Sequence, residues 1–176
     1  MDKYAEDVAL VKAAMAGDQN AFEQIVGRYR TLVAKVIVGL LGNRADADDV
    51  GQETFLRFYR SMHQYKGEAA LGTYLTRIAI NLSLNELKRR ASRKWFSLEE
   101  HHNNYHVDDS VCYNNENAEL VEKGLAQLDT KYRTVVVLRI MQGFSTKETM
   151  ELLNLPLGTV LSRLARAQKK LKFFPH

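Results

Sequence analysis

An all-α chain of two small domains is the fold the sequence predicts: a four-helix N-terminal domain, a flexible acidic linker and a C-terminal helix-turn-helix domain. Three observations lead there. Only two prolines, Pro156 and Pro175, occur in 176 residues, and proline is what breaks long helices, because it lacks a backbone N–H and clashes with the preceding turn. Alternating β-branched runs are scarce. Apolar residues recur instead at steps of three and four along most of the chain, the period of a helix with one buried face. With 45% hydrophobic residues, the chain can fill one ordinary core or two small ones.

The first helix is expected over residues 4–16, with Val8, Val11, Ala14 and Met15 on one stripe and Gly17 as its stop. Asp18 is placed to cap the second, whose stripe is Phe22, Ile25, Val26, Tyr29, Leu32, Val33, Val36, Ile37 and Leu40, ending at Gly42-Asn43. A third helix is expected from about Ala45 to Met62, with Ala47, Val50, Thr54, Phe55 and Phe58 inward. After a loop around Gly67 comes a fourth, about Leu71 to Arg90, with Leu71, Tyr74, Leu75, Ile78 and Leu82 inward.

From Ser92 to Asn117 the apolar period is lost, and this polar stretch reads as a mobile linker whose start Trp95 and Phe96 anchor on the first domain. The domains are therefore drawn as 1–91 and 118–176, with 92–117 between them. In the second, one helix carries Leu120, Val121, Leu125 and Leu128; Asp129 caps another with Tyr132, Val135, Val136 and Ile140 inward, and Gly143 follows it. Ser145-Thr146-Lys147-Glu148 has the capping-box spacing, in which serine and glutamate each satisfy an orphan N–H. Pro156 suits the first turn of a last helix running to about Phe173, where a missing N–H is harmless.

Charge is distributed unevenly. Residues 1–95 carry a net +4, residues 96–120 a net −6 with no lysine or arginine, and residues 121–176 a net +6. Basic blocks attract polyanions through counterion release, nucleic acid being the commonest. A single cysteine, Cys112, excludes an internal disulfide and suits a reducing cytosol. The polar, acidic opening segment is unlike a signal peptide, and the longest apolar run, near residues 36–41, is too short to span a bilayer. The expectation is a cytoplasmic protein without membrane insertion.

The last two helices are joined by about three residues, the helix-turn-helix arrangement, whose second helix enters a DNA major groove. With Val160, Leu164, Ala167 and Leu171 buried, Thr159, Ser162, Arg163, Arg166, Lys169 and Lys170 are left outside. Free N–H groups at a helix start approach phosphate, and arginine forks onto guanine. In the first domain Thr73, Arg77, Asn81 and Asn85 recur every four residues and read as one outward face, followed by Lys88, Arg89 and Arg90. Amides and hydroxyls meet base edges while cations hold phosphates. Asp49, Gln52, Glu53, Leu56 and Arg60 lie opposite the third helix's core stripe, a leucine among charges.

The stretch Leu128-Asp129-x-x-Tyr132-Arg133, Gly143-Phe144-Ser145, Glu148 and Leu155-Pro156-Leu157-Gly158-Thr159-Val160-x-Ser162-Arg163-Leu164-x-Arg166-Ala167 closely resembles region 4 of extracytoplasmic-function sigma factors of bacterial RNA polymerase. Asp46-Ala47-Asp48-Asp49-Val50-x-Gln52-Glu53-Thr54-Phe55-Leu56 and Leu71–Asn81 with Leu87-Lys88-Arg89-Arg90 resemble region 2 of the same family. Together the likeness covers about residues 20–91 and 118–172.

The resemblance implies an alternative sigma factor that binds RNA polymerase core and directs promoter recognition and opening. It implies that Asp46, Asp48, Asp49, Gln52, Glu53, Leu56 and Arg60 dock on the large subunit's clamp coiled coil, with the flap as a second contact. It implies that Tyr65, Lys66, Thr73, Arg77, Asn81, Asn85, Lys88, Arg89 and Arg90 melt and read the −10 element, the loop with Gly67 receiving an extruded base. Leu157, Gly158, Thr159, Ser162, Arg163, Arg166, Lys169 and Lys170 would read the −35 duplex. The acidic linker would thread toward the RNA exit path, and an anti-sigma factor is a further partner. Departures from the family pattern are Tyr74 for Trp, Asn85 for Asp, Leu161 for Lys and Thr149-Met150 for Ile-Ala; Leu161 predicts weaker −35 binding.

No enzymatic role and no cofactor or metal is expected. Asp48 and Asp49 diverge by about 100° on a helix, so they do not pair as catalytic carboxylates, and no phosphate loop or nucleophile motif is present. His101, His102, His106 and Cys112 match no closed zinc site. The rival functions are a free-standing helix-turn-helix regulator, a zinc hydrolase built on that histidine cluster, and a divergent sigma factor brought to DNA by another protein.

Overall fold

A computed structural model describes residues 3–42, 45–100 and 116–171. Every regular element among them is helical: α1 (Lys3–Met15), α2 (Gln19–Leu41), α3 (Ala45–Ser61) with a 3-10 turn at Met62–Gln64, α4 (Leu71–Glu100), α5 (Glu116–Ala126), α6 (Thr130–Val136) continued by a π-helical turn at Val137–Met141, α7 (Thr146–Leu153) and α8 (Leu157–Leu171).

The starts and stops follow local chemistry. The Asp18 carboxylate accepts from the N–H groups of Asn20 at 2.9 Å and Ala21 at 3.2 Å, opening α2. Gly42, at φ 78°, closes it. Ser145 and Glu148 form the reciprocal capping box at 3.1 and 2.7 Å. Asn154, at φ 51°, is the left-handed end of α7. Pro156 then lends its carbonyl to the N–H groups of Thr159 and Val160 at the head of α8.

The hydrogen bonds from Ser145 hold the Glu148 carboxyl below its ordinary value. A carboxyl with a depressed folded-state pKa adds stability above its unfolded pKa, and that contribution is lost as pH falls through the folded value. Ser145→Ala should lower stability by about 1 kcal/mol. Glu148→Gln should melt below the parent at pH 7, and the gap should close in melts run near pH 3.

The first core is built where α2 crosses α3 and α4. Ile25, Val36, Ile37, Leu40, Phe58, Leu71 and Leu75 are all fully buried there. Phe58 packs between Phe22 and Tyr74, at ring separations of 6.4 and 6.0 Å. α1 is tied on by buried Asp7, which accepts from the Arg28 guanidinium at 2.8 Å and from the Tyr29 hydroxyl. The second core gathers Leu125, Leu128, Tyr132, Val135, Leu138, Leu152, Val160 and Ala167. The two cores meet: α2 packs on α6 and the π turn, and α4 packs on α7.

Several expectations change. α4 does not end near Arg90 but runs to Glu100, through residues read as linker. Residues 73–100 hold no glycine or proline. The buried Glu86 side chain, 7% exposed, is paired with Arg89 at 2.7 Å and Arg93 at 3.0 Å. A polar helix needs continuous backbone bonds and such pairs, not an apolar stripe. The side chains of Trp95 and Phe96, residues 101–115 with the histidine and cysteine group, and Phe173 lie outside the described residues.

Met15, Leu120, Val121 and Ile140 are exposed, not inward. Met15 follows buried Ala14 by a rotation of about 100°. Leu120 and Val121 stand on α5, whose buried contact is made through Leu125. Ile140 is turned out because the wide π turn shifts the register and brings Val137 inward in its place. Asp129 precedes α6 but makes no side-chain cap bond; its carboxylate pairs with Lys170 at 3.0 Å.

Candidate nucleic-acid interface

Three surfaces carry the residues singled out from the sequence. On α3, burial of Ala47, Val50, Thr54 and Phe58 leaves Asp48, Asp49, Gln52, Leu56 and Arg60 exposed on the opposite side. Glu53 is half-buried and bound to Arg57 at 3.0 Å. Leu56 is 50% exposed. Tyr59, absent from the sequence-based set, is equally exposed nearby, its ring edge-on to Phe22 at 5.0 Å. Asp46 stands apart, half-buried and held by Arg90 at 2.9 Å.

On α4, Arg77, Asn81, Asn85, Lys88 and Arg89 are exposed, with Arg89 engaged by Glu86. Thr73 is not on that face: it is 8% exposed. A step of four residues advances 400°, so a four-residue series drifts by 40° each time and its first member falls on the buried flank. Arg90 is not a free cation either. It pairs with Asp46 and donates to the Leu41 carbonyl at 3.0 Å, closing the end of α2.

The loop before α4 is closed by Tyr65, whose hydroxyl donates to the Ala69 carbonyl at 2.8 Å and whose ring meets Tyr74 edge-on at 5.3 Å. Burial, helped by nearby Tyr4 and Asp7, pushes the Tyr65 phenol up to about 12. Tyr65 therefore shapes the loop, while Lys66 and Glu68 are its exposed charged side chains. Gly67 is required twice over: its φ is +73°, and a Cβ there would stand 3.3 Å from Val8 of α1.

On α8, Ser162, Arg166, Lys169 and Lys170 are exposed and Thr159 and Arg163 half-buried, all at steps of three and four. Two of these are already engaged. Arg166 hydrogen-bonds the Tyr132 hydroxyl, lowering that phenol's pKa. Lys170 pairs with Asp129 and lies 5.0 Å from the Tyr132 ring centre. Gly158 is exposed, with open space about its Cα. Leu157 and Leu161 are 49% and 48% exposed and one four-residue step apart, off the cationic stripe.

Arg133, to which the sequence assigned no role, is a hub. It donates to the carbonyls of Leu125, Ala126 and Leu128 in its own domain, and to Leu40 of α2 at 2.9 Å. Burial, and then the neighbouring Arg90, pull its pKa below the usual value. Among the described residues no group of three or more His, Cys, Asp or Glu side chains is arranged to hold a metal ion. None of the described helices is long and apolar enough to cross a membrane.

The sigma-70 region 2 family matches residues 25–93, and the sigma-70 region 4 family matches residues 118–171. The chain is 32% identical to the ECF RNA polymerase sigma-E factor of Haemophilus influenzae, covering 98% of this chain and 96% of that one. It is 31% identical to the ECF RNA polymerase sigma factor SigW of Bacillus subtilis, with 92% of each covered. Among solved structures, CnrH in complex with the cytosolic domain of CnrY superposes with a TM-score of 0.69 at 27% identity over 95% of both chains. The sigma factor RpoE of Bartonella quintana, in complex with the anti-sigma factor NepR, shares the fold at a TM-score of 0.70 and 18% identity, over 86% of this chain and 94% of that one.

Proposed function

The chain belongs to the extracytoplasmic-function sigma factors of RNA polymerase, alternative sigma factors that direct transcription initiation, and we propose how its surfaces divide that work. The α3 face of Asp48, Asp49, Gln52, Glu53, Leu56 and Arg60, extended by Tyr59, docks on the clamp of the polymerase's large subunit. The exposed face of α4, with Arg77, Asn81, Asn85 and Lys88, takes the unpaired non-template strand beside Lys66. α8 lies in the upstream major groove, where Ser162 and Arg163 meet base edges and Arg166 and Lys169 hold phosphates.

The observation that supports this best is the pair of polar, cationic helix faces, on α4 and α8, each opposite a buried stripe and each in its own domain. Thr73, Tyr65 and Arg90 act behind these faces as packing and anchoring residues. The polymerase supplies the chemistry of RNA synthesis, and the chain works in the cytoplasm where that enzyme works. An anti-sigma factor is its proposed inhibitor: the solved RpoE structure contains the anti-sigma factor NepR, and CnrH is likewise seen with a protein partner, the cytosolic domain of CnrY.

The direct test is transcription by core polymerase of the source bacterium on its genomic DNA, with and without the chain, mapping 5′ ends. New, discrete start sites are expected; unchanged start sites would sink the reading. A free-standing regulator would instead bind specific duplex without core and leave core polymerase blind. The cations on α8 separate further. Lys169→Ala should weaken holoenzyme binding evenly across sequences and reduce the log–log salt slope by about 0.9. Arg163→Ala should cost about 1–3 kcal/mol on the preferred upstream sequence and relax that preference, as read by duplex competition.

A further inference from the structure

α8 carries an apolar row that its core does not use. Val160 and Ala167 are buried and hold the helix to its domain. Leu157 and Leu161 are half exposed, and Ala165 is exposed one further step of four along. Each step of four turns about 40° around the helix, so the three side chains form one slanting row. The opposite flank is cationic and leans on α6: Arg166 bonds the Tyr132 hydroxyl and Lys170 pairs with Asp129. Gly158, Ser162 and Lys169 lie between the two flanks, all exposed.

The surface that α8 turns toward a groove is therefore two-sided. Hydroxyl and cationic groups serve one side, and the other has only methyl groups to offer. Duplex DNA presents one apolar feature in its major groove, the C5-methyl of thymine. Leucine beside guanine or cytosine would strip water from O6, N7 or N4 and return no hydrogen bond, which costs free energy. Beside thymine the same leucine buries a methyl group against its own. Leu161 also stands where the family pattern has lysine, so a position able to carry charge has become apolar. A lysine there could reach phosphate or guanine; a leucine bonds neither.

We infer that Leu161, backed by Leu157 and Ala165, selects thymine in the upstream element by direct contact with its C5-methyl. The inference rests on the reading of α8 as the groove helix and names what one side of that helix prefers. The row is continuous with the groups proposed to hold DNA, because Leu161 adjoins Ser162 and Ala165 adjoins Arg166 along the chain. Burying one methyl is worth about 0.8 kcal/mol, or about 4-fold in affinity. Leu161 thus acts on sequence preference and adds nothing to the salt-dependent hold on phosphates.

Deoxyuridine pairs as thymine does and lacks only the methyl group, which isolates the contact. Holoenzyme of the full chain with core polymerase is bound to duplex from upstream of a mapped start site, with upstream thymines replaced one at a time. One or two replacements should weaken binding by about 4-fold each. With Leu161→Gln, an exposed change to a good helix former, those same replacements should have no effect. Leu161→Lys should likewise ignore them and should steepen the log–log salt slope by about 0.9. Parent holoenzyme that is indifferent to every upstream replacement, or that prefers an element without thymine, overturns the inference. So does sensitivity that persists in both variants, since the methyl would then act through duplex shape or another side chain. A Leu161→Gln chain that loses core affinity instead, with its thymine preference unchanged, gives the row to polymerase and overturns it too. A chain that lends core no start-site selectivity defeats the function proposed above. Duplex selected from a random pool by the free chain, carrying the same replacements, then decides the methyl contact. A free chain that also prefers no duplex overturns both.

Discussion

Phe58→Ala should lower the stability of the first domain by about 3–5 kcal/mol, the range for deleting a fully buried aromatic side chain. Phe58 is wholly inaccessible, at the junction of α2, α3 and α4, with Phe22 stacked at 6.4 Å and Tyr74 edge-on at 6.0 Å. Three helices close on this one ring, so the hole has no single side from which it can collapse, and the upper part of the range applies. Small domains hold only about 5–15 kcal/mol in all, so the variant should sit close to unfolding at ambient temperature. Phe58→Leu, which keeps most of the volume, should lose far less. Thermal melts followed by circular dichroism check both; a fall below about 1 kcal/mol for alanine would mean that the three-helix junction is not the core of the domain.

Leu56→Asp should weaken binding to core polymerase by about 30-fold, or about 2 kcal/mol, while leaving the fold nearly untouched. Leu56 is half exposed, so burial energy in the free chain is small. On a docked interface the same side chain loses water, and a carboxylate there would be desolvated without a partner beside Asp49, Gln52 and Glu53. Tyr59→Ala should act in the same direction, because its ring continues the apolar patch. Fluorescence titration of labelled chain against core polymerase measures the loss; unchanged affinity with an unchanged melting curve would remove α3 from the docking surface.

The legible parts of this protein are those with a local signature. The steps of three and four along Ile25, Tyr29, Val33, Val36 and Leu40 announced α2 and its buried side, and each of these residues is buried. Asp18, Gly42 and the Ser145–Glu148 box marked real helix ends, because a cap needs only its own neighbours. The capped turn before α8 likewise placed the helix-turn-helix. What failed was reading by period alone. The extension of α4 to Glu100 has no apolar stripe to reveal it, only charge pairs around Glu86. Thr73 belonged to a spacing pattern that drifts around the helix, and Ile140 to a register that the π turn broke.

By itself the sequence determined that the chain is helical, where most helices begin, which stripe of each is apolar and which short motifs mark it as a sigma factor. These depend on backbone propensity, capping and side-chain period, all settled within a few residues along the chain. Only the tertiary structure decided which cations are free. Arg90 is spent on the end of α2, Arg133 on four carbonyls and Lys170 on Asp129, whereas Lys88 and Lys169 remain at the surface. Nor did the sequence reveal that Gly39 receives Val137, a contact between residues nearly a hundred positions apart. Such pairings depend on how two packed faces meet in space, and no period along one helix encodes the position of another.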